Sequence, residues 1–181
     1  MNRKSTGFTL LELVIIVTIL AITSAFAAPG VMSMIADNRI SSSVNDYVAA
    51  LQFAKTEAAA RISPVTLCKA NNNLNNCVAG GDWQQGWVVF ADANSNASVD
   101  GGEQILLVHE ALDPQITFGA TAQLQDFITY RPSGTTSINS AQVLIMCDNR
   151  GFIDASRGVL VTITGRGSVM KASDTGQGSC L

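Results

Sequence analysis

Several features on which common enzymes and ligand-binding proteins depend are scarce or missing in this sequence. It has one histidine, His109, and only 14% charged residues. The phosphate-binding signature Gly-Lys-Ser/Thr does not occur, and no two cysteines have the C-x2–4-C spacing of a zinc site. The net charge of −3 provides no overall basic surface for nucleic acid. Because His109 lies in a predicted strand without a partnered nucleophile, we predict that the protein is not an enzyme.

What the sequence does contain is a long apolar segment near its N-terminus. The segment follows the basic residues Arg3 and Lys4, runs from Phe8 to about Ala28 and holds one charged side chain, Glu12. About 20 apolar residues are enough to span a bilayer. An ionised side chain in the bilayer core costs about 2.5–3.5 kcal/mol, so Glu12 requires a partner there. The segment therefore predicts a membrane-inserted helix with one functional acid.

The combination of Gly7-Phe8 with Glu12 resembles the N-terminus of type IV prepilins and type II secretion pseudopilins. In that superfamily a prepilin peptidase cuts after the glycine and methylates the new N-terminal phenylalanine, and a glutamate is the fifth residue of the mature chain. The resemblance implies processing at Gly7 and Phe8. It also implies an assembly role in which the amine of a neighbouring Phe8 neutralises Glu12. The implied partners are the prepilin peptidase, other minor pilins and the major pilin, or pseudopilins.

Two other interpretations of this segment compete with the first. A secretory signal peptide would be cleaved after Ala25-Phe26-Ala27, and a plain membrane anchor would not be cleaved. The apolar region of a signal peptide is normally uncharged and about 7–15 residues long. Because the run here is longer and contains Glu12, we favour the prepilin interpretation. The basic residues then stay on the cytoplasmic side, and we expect a single pass through the inner membrane with the head in the periplasm, before assembly into a pilus or pseudopilus.

The apolar pattern from Phe8 to about Ile62 predicts one long helix. Its second half carries an apolar stripe at three- and four-residue spacing, formed by Val44, Tyr47, Val48, Leu51, Ala54, Ala58 and Ile62. Pro29 interrupts the pattern, and the resemblance implies a mild bend there rather than a break. Pro64 ends the helix because it disfavours helical geometry at Ser63. We therefore expect a cleaved leader (1–7), a membrane half of the helix (8–29), an amphipathic half (30–62) and a β-rich head (63–181).

Short apolar runs after Pro64 predict an antiparallel β head. The expected strands are Val65–Lys69, Trp83–Ala91, Gln104–Glu110, Gln115–Phe118, Asp126–Arg131, Ala141–Cys147, Gly158–Ile163 and Gly167–Lys171. Because the strands all follow the helix, the predicted class is α+β, with a long helix packed on two antiparallel sheets. The resemblance implies that this arrangement is the type IV pilin fold.

The segment from Trp83 to Asn94 narrows the resemblance to one branch of this superfamily. Its W-x-x-G-W…F-x-D-x-N pattern is similar to the heads of the GspH/FimT branch, which contains minor pilins and one minor pseudopilin. We expect Trp83 and Trp87 to pack in the core. The resemblance implies a minor pilin that takes part in type IV pilus assembly. The alternatives are a minor pseudopilin of the type II secretion system and a DNA-binding minor pilin for natural transformation.

The four cysteines fit two disulfides formed in an oxidising compartment. The simplest pairing joins Cys68 to Cys77 and Cys147 to Cys180, and it is one of three connectivities. The first bond would close an Asn-rich loop, and the second would tie the C-terminal tail to a central strand.

A loop after the Trp-rich strand matches the ligand spacing of a calcium loop. Oxygen-bearing side chains occupy positions 1, 3, 5, 9 and 12 of a twelve-residue segment, namely Asp92, Asn94, Asn96, Asp100 and Glu103. However, Ala97 stands where that loop needs glycine, and the flanking segments are predicted strands rather than helices. We therefore expect a solvated turn and no cofactor, with a bound Ca²⁺ as the alternative.

A DNA-binding role would depend on a basic cluster in the head. FimT-type minor pilins hold DNA with a C-terminal Gly-Arg-x-Arg loop, whereas Gly165-Arg166-Gly167-Ser168 lacks the second arginine. The other candidate cations are Lys171, Arg150 and Arg157. Phosphate binding needs several cations that act together, so we expect a weak DNA site at most.

Overall fold

The computed structural model of the chain describes residues 7–180, except for the side chains of residues 27–29 and 122. Residues 1–6 of the expected leader lie outside the described residues. The chain divides into two compact units, Met1–Asn38 and Arg39–Leu181. One helix, α1 (Leu10–Arg61), contributes to both units, and the strands belong to the second.

The first unit consists of the apolar part of α1. The helix continues through Pro29, as expected. Within residues 7–180, no single straight helix meets the length and hydropathy of a membrane span. Leu10–Phe26 and Gly30–Arg61 meet them together as a bent pair.

Hydroxyl side chains in this apolar stretch find their hydrogen-bond partners inside the helix. The Thr18 hydroxyl donates to the Ile15 carbonyl at 2.8 Å, and the Ser24 hydroxyl donates to the Leu20 carbonyl at 2.7 Å. Hydroxyl groups bonded in this way present no unpaired donor to apolar surroundings.

In the second unit, the last part of α1 supplies one side of the core. The predicted stripe is buried at Val44, Tyr47 and Leu51, which are at most 1% exposed. Ile62 does not continue the stripe, and the prediction was wrong at this residue. The helix ends at Arg61, and Ile62 has a left-handed backbone with a φ of 52° and an 82% exposed side chain. A left-handed residue turns its side chain away from the helical face that precedes it.

The head contains two antiparallel four-stranded sheets. The strands are β1 (Val65–Lys69), β2 (Trp87–Ala91), β3 (Ile105–His109), β4 (Ile116–Ala120), β5 (Phe127–Tyr130), β6 (Gln142–Asp148), β7 (Arg157–Val161) and β8 (Gly167–Lys171). The first sheet has the order β3-β2-β1-β5, and the second has the order β4-β6-β7-β8. The predicted α+β class with two sheets is confirmed.

One predicted strand begins later than expected. Trp83–Gln85 forms a short 3-10 helix, and β2 begins only at Trp87. Gly86 lies between them with a φ of 104°, a backbone conformation that side-chain-bearing residues rarely adopt. The first half of the W-x-x-G-W block therefore forms a turn that leads into the strand.

Both tryptophans lie in the core, as predicted. Trp83 and Trp87 are 1% and 0% exposed, and each makes an edge-to-face contact with Tyr47 of α1, at centroid distances of 5.3 and 5.4 Å. Phe118 of β4 makes a third such contact with Tyr47 at 4.8 Å. This aromatic cluster joins the helix to both sheets, because Trp87 belongs to the first sheet and Phe118 to the second.

The two disulfides join the pairs of cysteines that we predicted. Cys68–Cys77 closes a loop across 9 positions, and Cys147–Cys180 spans 33 positions. The second bond fastens the C-terminal segment over the outer face of β6, beside Val143, Ile145 and Ala172.

Candidate assembly site

The beginning of α1 contains a reciprocal pair of hydrogen-bonding residues, Thr9 and Glu12. Because α1 begins at Leu10, Thr9 is its N-cap. The backbone N–H of Glu12 donates to the Thr9 hydroxyl oxygen at 3.2 Å. In return, the Thr9 backbone N–H and hydroxyl donate to Oε2 of Glu12 at 3.4 and 3.3 Å. This is a capping box, in which the cap and the third helical residue satisfy each other's backbone donors.

Sequence reasoning singled out Glu12 and missed its partner. The signal was present, because Thr-x-x-Glu in front of an apolar run is the sequence signature of a capping box. Glu12 therefore has a role within its own helix, in addition to the assembly role that the resemblance implies.

The predicted processing junction lies just before this capping box. Gly7 and Phe8 are non-helical and exposed. A Cβ atom added at Gly7 would meet no other atom within 4 Å. The described chain therefore leaves the junction accessible.

The first unit exposes an apolar surface, which we call the apolar helix surface and define as residues 8–26 and 30–35. It contains 16 exposed large apolar side chains, and between Phe8 and Ala36 the only charged residue is Glu12. Monomeric soluble proteins rarely expose apolar patches of more than a few hundred Å². A surface of this kind needs to be covered by lipid or by other helices.

Three of the four cations predicted as DNA ligands lie toward one end of the second sheet, and Arg166 lies apart from them. Arg150 forms an ion pair with Asp148, and Arg157 donates to the backbone carbonyls of residues 154–156. Lys171 lies opposite Arg157 at one end of the β7–β8 ladder. Arg166 precedes β8 at the other end, roughly 17 Å away along an extended strand. The DNA site thus stays a prediction, and this arrangement does not favour it.

The five predicted calcium ligands form a loop that is hydrogen-bonded within itself. Asp92 is fully buried and accepts hydrogen bonds from the Thr66 hydroxyl and from the backbone N–H groups of Asn96 and Ala97. Asn94 and Asn96 both donate to Asp100, and these bonds lower the pKa of its carboxyl.

Glu103 completes this loop. It accepts from the backbone N–H groups of Ala93 and Asp100. Each of the three carboxylates therefore already has hydrogen-bond donors within the loop, and the Ca²⁺ alternative stays a prediction. Among residues 7–180, no group of three or more Asp, Glu, His or Cys side chains is arranged to hold a metal ion.

His109 lies next to an aromatic ring, a backbone carbonyl and a carboxylate. Its ring stacks on Trp87 at a centroid distance of 3.9 Å, and its Nδ1 lies 2.7 Å from the Glu110 carbonyl oxygen. Its Nε2 lies 3.8 Å from Oδ2 of Asp46 on α1.

The cavity beside Cys77 and Phe127 measures about 240 Å³, which is less than most ligand pockets.

Comparison with known proteins finds family matches to two parts of the chain. The family described as type II transport protein GspH matches residues 43–167, and the prokaryotic N-terminal methylation motif matches residues 2–28. A comparison with curated proteins finds no match.

Among solved structures, the fold is similar to that of the type IV minor pilin FimU of Pseudomonas aeruginosa. The P21 crystal form of FimU has a TM-score of 0.59 at 19% identity, over 75% of this chain and 91% of FimU. The P65 crystal form has a TM-score of 0.55 at 17% identity, over 74% of this chain and 94% of FimU. The match to the GspH family spans more than half of the chain, and the methylation motif precedes it. The chain therefore belongs to the GspH family.

Proposed function

We propose that this chain is a minor subunit of a type IV pilus that is made as a precursor, is cut between Gly7 and Phe8, and enters the filament through its apolar helix surface. The observation that carries the proposal is the N-terminal methylation motif, which lies on an exposed apolar helix charged only at Glu12. Before assembly, the inner membrane covers that surface and the head lies in the periplasm, where disulfides persist. After assembly, the helices of other pilins cover it.

Glu12 directs the assembly step. Apolar helices in lipid have little hydrophobic drive to associate, so packing and polar pairing decide which neighbours they choose and in what register. Cleavage by the prepilin peptidase turns the amide nitrogen of Phe8 into an amine. The amine of a neighbouring subunit then neutralises the Glu12 carboxylate in surroundings where an unpaired charge is costly.

The Glu12→Ala variant tests this proposal. We expect it to be cleaved and methylated as in the parent chain, and to enter sheared filaments about tenfold less, because the buried amine loses its charged partner. Filament and membrane fractions are compared by immunoblot, and the mature N-terminus is identified by mass spectrometry. The matched control is Asp37→Ala, which removes the next acidic residue along the same helix. Normal incorporation of Glu12→Ala would exclude the pairing.

The processing step has a test of its own. Gly7→Asp should leave the chain uncut, because the peptidase would meet a charged side chain where the described chain itself makes no contact. A parent chain whose mature form starts at Ala28 instead of Phe8 would support a signal peptide and end the pilin proposal.

A second candidate function is that of a minor pseudopilin in type II secretion. The observation in its favour is the family description, which names a type II transport protein. Deletion of the gene separates the two functions. Loss of surface pili with normal secretion supports the pilus, whereas periplasmic accumulation of secreted enzymes in fully piliated cells supports the pseudopilus.

A further inference from the structure

We infer that the free edge of strand β8 accepts an extended, acidic segment of a neighbouring subunit as an additional strand of the second sheet. The inference rests on the proposed function, because a neighbouring subunit is present only if the chain enters a filament. β8 is the last strand of its sheet and pairs with β7 alone. An edge strand presents backbone N–H and C=O groups, and an added strand can pair with them.

The hydrogen bonds at the two ends of the β7–β8 pair show which backbone groups of β8 point outward. At one end the Thr162 N–H donates to the Arg166 carbonyl at 3.0 Å, and at the other the Ala172 N–H donates to the Ser156 carbonyl at 3.1 Å. In an antiparallel pair, hydrogen-bonded positions alternate with positions that are not hydrogen-bonded. The even-numbered residues from 166 to 172 therefore bond to β7.

The odd-numbered residues of β8 consequently direct their N–H and C=O groups away from the sheet. These residues are Gly167, Val169 and Lys171, and we call their outward backbone groups the β8 edge. Among residues 7–180, the hydrogen bonds of the structure include none to these groups. The Val169 side chain is 45% exposed, although its ladder partner Val159 is fully buried. An added strand would cover this side chain and gain a cross-strand apolar contact.

The other sheet edges of the described chain are blocked or irregular. On β4, the Phe118 N–H donates to the side chain of Gln84 at 3.1 Å. On β5, Thr129 exchanges hydrogen bonds with Ser137, at 3.1 and 2.9 Å. β3 pairs with β2 through a register shift, and such irregularities protect an edge from further pairing. The β8 edge is thus the regular, unblocked edge of the two sheets.

The charges around the β8 edge indicate which kind of strand fits it. Residues 157–171 contain the three cations Arg157, Arg166 and Lys171 and no acidic side chain, within a chain whose net charge is −3. Arg166 comes directly before β8 and Lys171 ends it, so the edge has a cation at either end. A strand with an acidic residue at each end complements this pattern.

A second copy of β8 fits the edge less well. Antiparallel pairing centred on Val169 would bring Arg166 of one copy beside Lys171 of the other, at both ends of the added ladder. Like charges on paired strands are destabilising. The β8 edge therefore favours an acidic strand of a different subunit over a second copy of this chain.

Peptide binding tests the edge directly. The purified full-length chain in detergent is titrated into two fluorescently labelled hexapeptides, Glu-Thr-Val-Thr-Val-Glu and Lys-Thr-Val-Thr-Val-Lys, and anisotropy is measured. We expect the acidic peptide to bind about tenfold more tightly than the lysine peptide. Val169→Pro should weaken its binding about tenfold, because proline removes an outward N–H and leaves the bonds to β7 in place. Val169→Thr, which keeps both the N–H and the branched shape, should bind as the parent chain does.

A charge-reversed chain provides a second measurement that does not depend on proline. Arg166→Glu combined with Lys171→Glu should reverse the preference, so that the lysine peptide binds more tightly. Parent-level binding by Val169→Pro, or no binding of the acidic peptide by the parent chain, would overturn the inference. So would a parent chain that binds a DNA duplex of about 20 base pairs but not the acidic peptide, since its cations would then serve nucleic acid.

Filament entry tests the identity of the partner. We expect Val169→Pro to enter sheared filaments about fivefold less than Val169→Thr, because the neighbouring subunit loses a backbone partner. Melting temperatures of the two purified variants are compared to confirm that both are folded. If Glu12→Ala enters poorly while Val169→Pro enters normally, only this inference fails. If Glu12→Ala enters normally, the proposed function fails, whereas the peptide titration still measures the β8 edge.

Discussion

Gly86 shows how a single residue constrains the head. Its φ of 104° lies in the region that glycine tolerates, and a Cβ atom there would come within 2.4 Å of the His109 carbonyl oxygen. That oxygen belongs to backbone, which cannot rotate away as a side chain would. The glycine of the W-x-x-G-W block is thus required both by its own conformation and by the close approach of β3.

We predict that Gly86→Ala destabilises the chain by about 2–4 kcal/mol, because strain at a positive φ adds to a backbone clash. Thermal unfolding of the purified chain in detergent measures the effect. Gly101→Ala is the matched control, since a Cβ atom at Gly101 meets nothing within 4 Å. Equal melting temperatures for the two variants would contradict this account of the motif.

At the scale of the element, α1 ends in an unusual way. The Ser63 N–H donates to the Ala58 carbonyl at 3.3 Å, which closes the last turn in the manner of a Schellman motif. The left-handed position of such an ending is normally glycine, but here it is Ile62 with a φ of 52°. A β-branched residue in this region is strained, and its 82% exposed side chain gains nothing from burial.

We therefore predict that Ile62→Gly stabilises the chain by about 1 kcal/mol, since the relief of left-handed strain outweighs the added freedom of the unfolded glycine. Ala60→Gly is the control, because it places glycine inside the same exposed helical turn and should destabilise by about 1 kcal/mol. Chemical denaturation of both variants beside the parent chain measures the two changes. A loss of stability in Ile62→Gly would mean that the isoleucine makes a contact worth more than the strain.

At the scale of the whole molecule, two ion pairs contribute to the response of the head to acid. The hydrogen bond from Lys69, at 2.8 Å, lowers the pKa of Asp126 below 3.8, and the hydrogen bonds from Arg150 lower the pKa of Asp148 in the same way. A carboxyl with a lowered pKa binds fewer protons in the folded than in the unfolded chain. The stability that it contributes is therefore complete above the unfolded pKa and is lost as the pH falls through the lowered one.

The Asp126→Asn variant tests the contribution of the Lys69–Asp126 ion pair to stability at neutral and at acidic pH. At pH 7 we expect a loss of about 3 kcal/mol, because Lys69 is only 2% exposed and would keep a buried charge without its partner. As the pH falls below 3.8, the difference from the parent chain should shrink, since Asp126 becomes protonated there as well. Asp174→Asn is the control at an exposed carboxyl. A difference between Asp126→Asn and the parent chain that does not change with pH would exclude the ion pair as its cause.

Hydrophobic periodicity predicted where the helix and strands lie along the sequence, but not how the strands are arranged in the sheets. Three- and four-residue spacing predicted the buried face of α1, and alternation predicted β8 with its observed bounds. Periodicity says nothing about the order of strands in a sheet, because that order depends on contacts between distant residues. Nor could it show that Arg150 pairs with Asp148, two residues away. The capping role of Thr9, by contrast, follows from a local motif, since Thr-x-x-Glu before an apolar run predicts a capping box.

The open space around Gly7 has a consequence for how variation at this position would act. A Cβ atom there touches nothing in the described chain, and the proposed cut would remove this residue together with the leader. Under the proposed processing, changes at Gly7 would alter how many subunits mature, whereas changes at Gly86 would alter the fold of every subunit that is made. The first kind would change the amount of mature subunit, and the second kind would change the stability of each subunit.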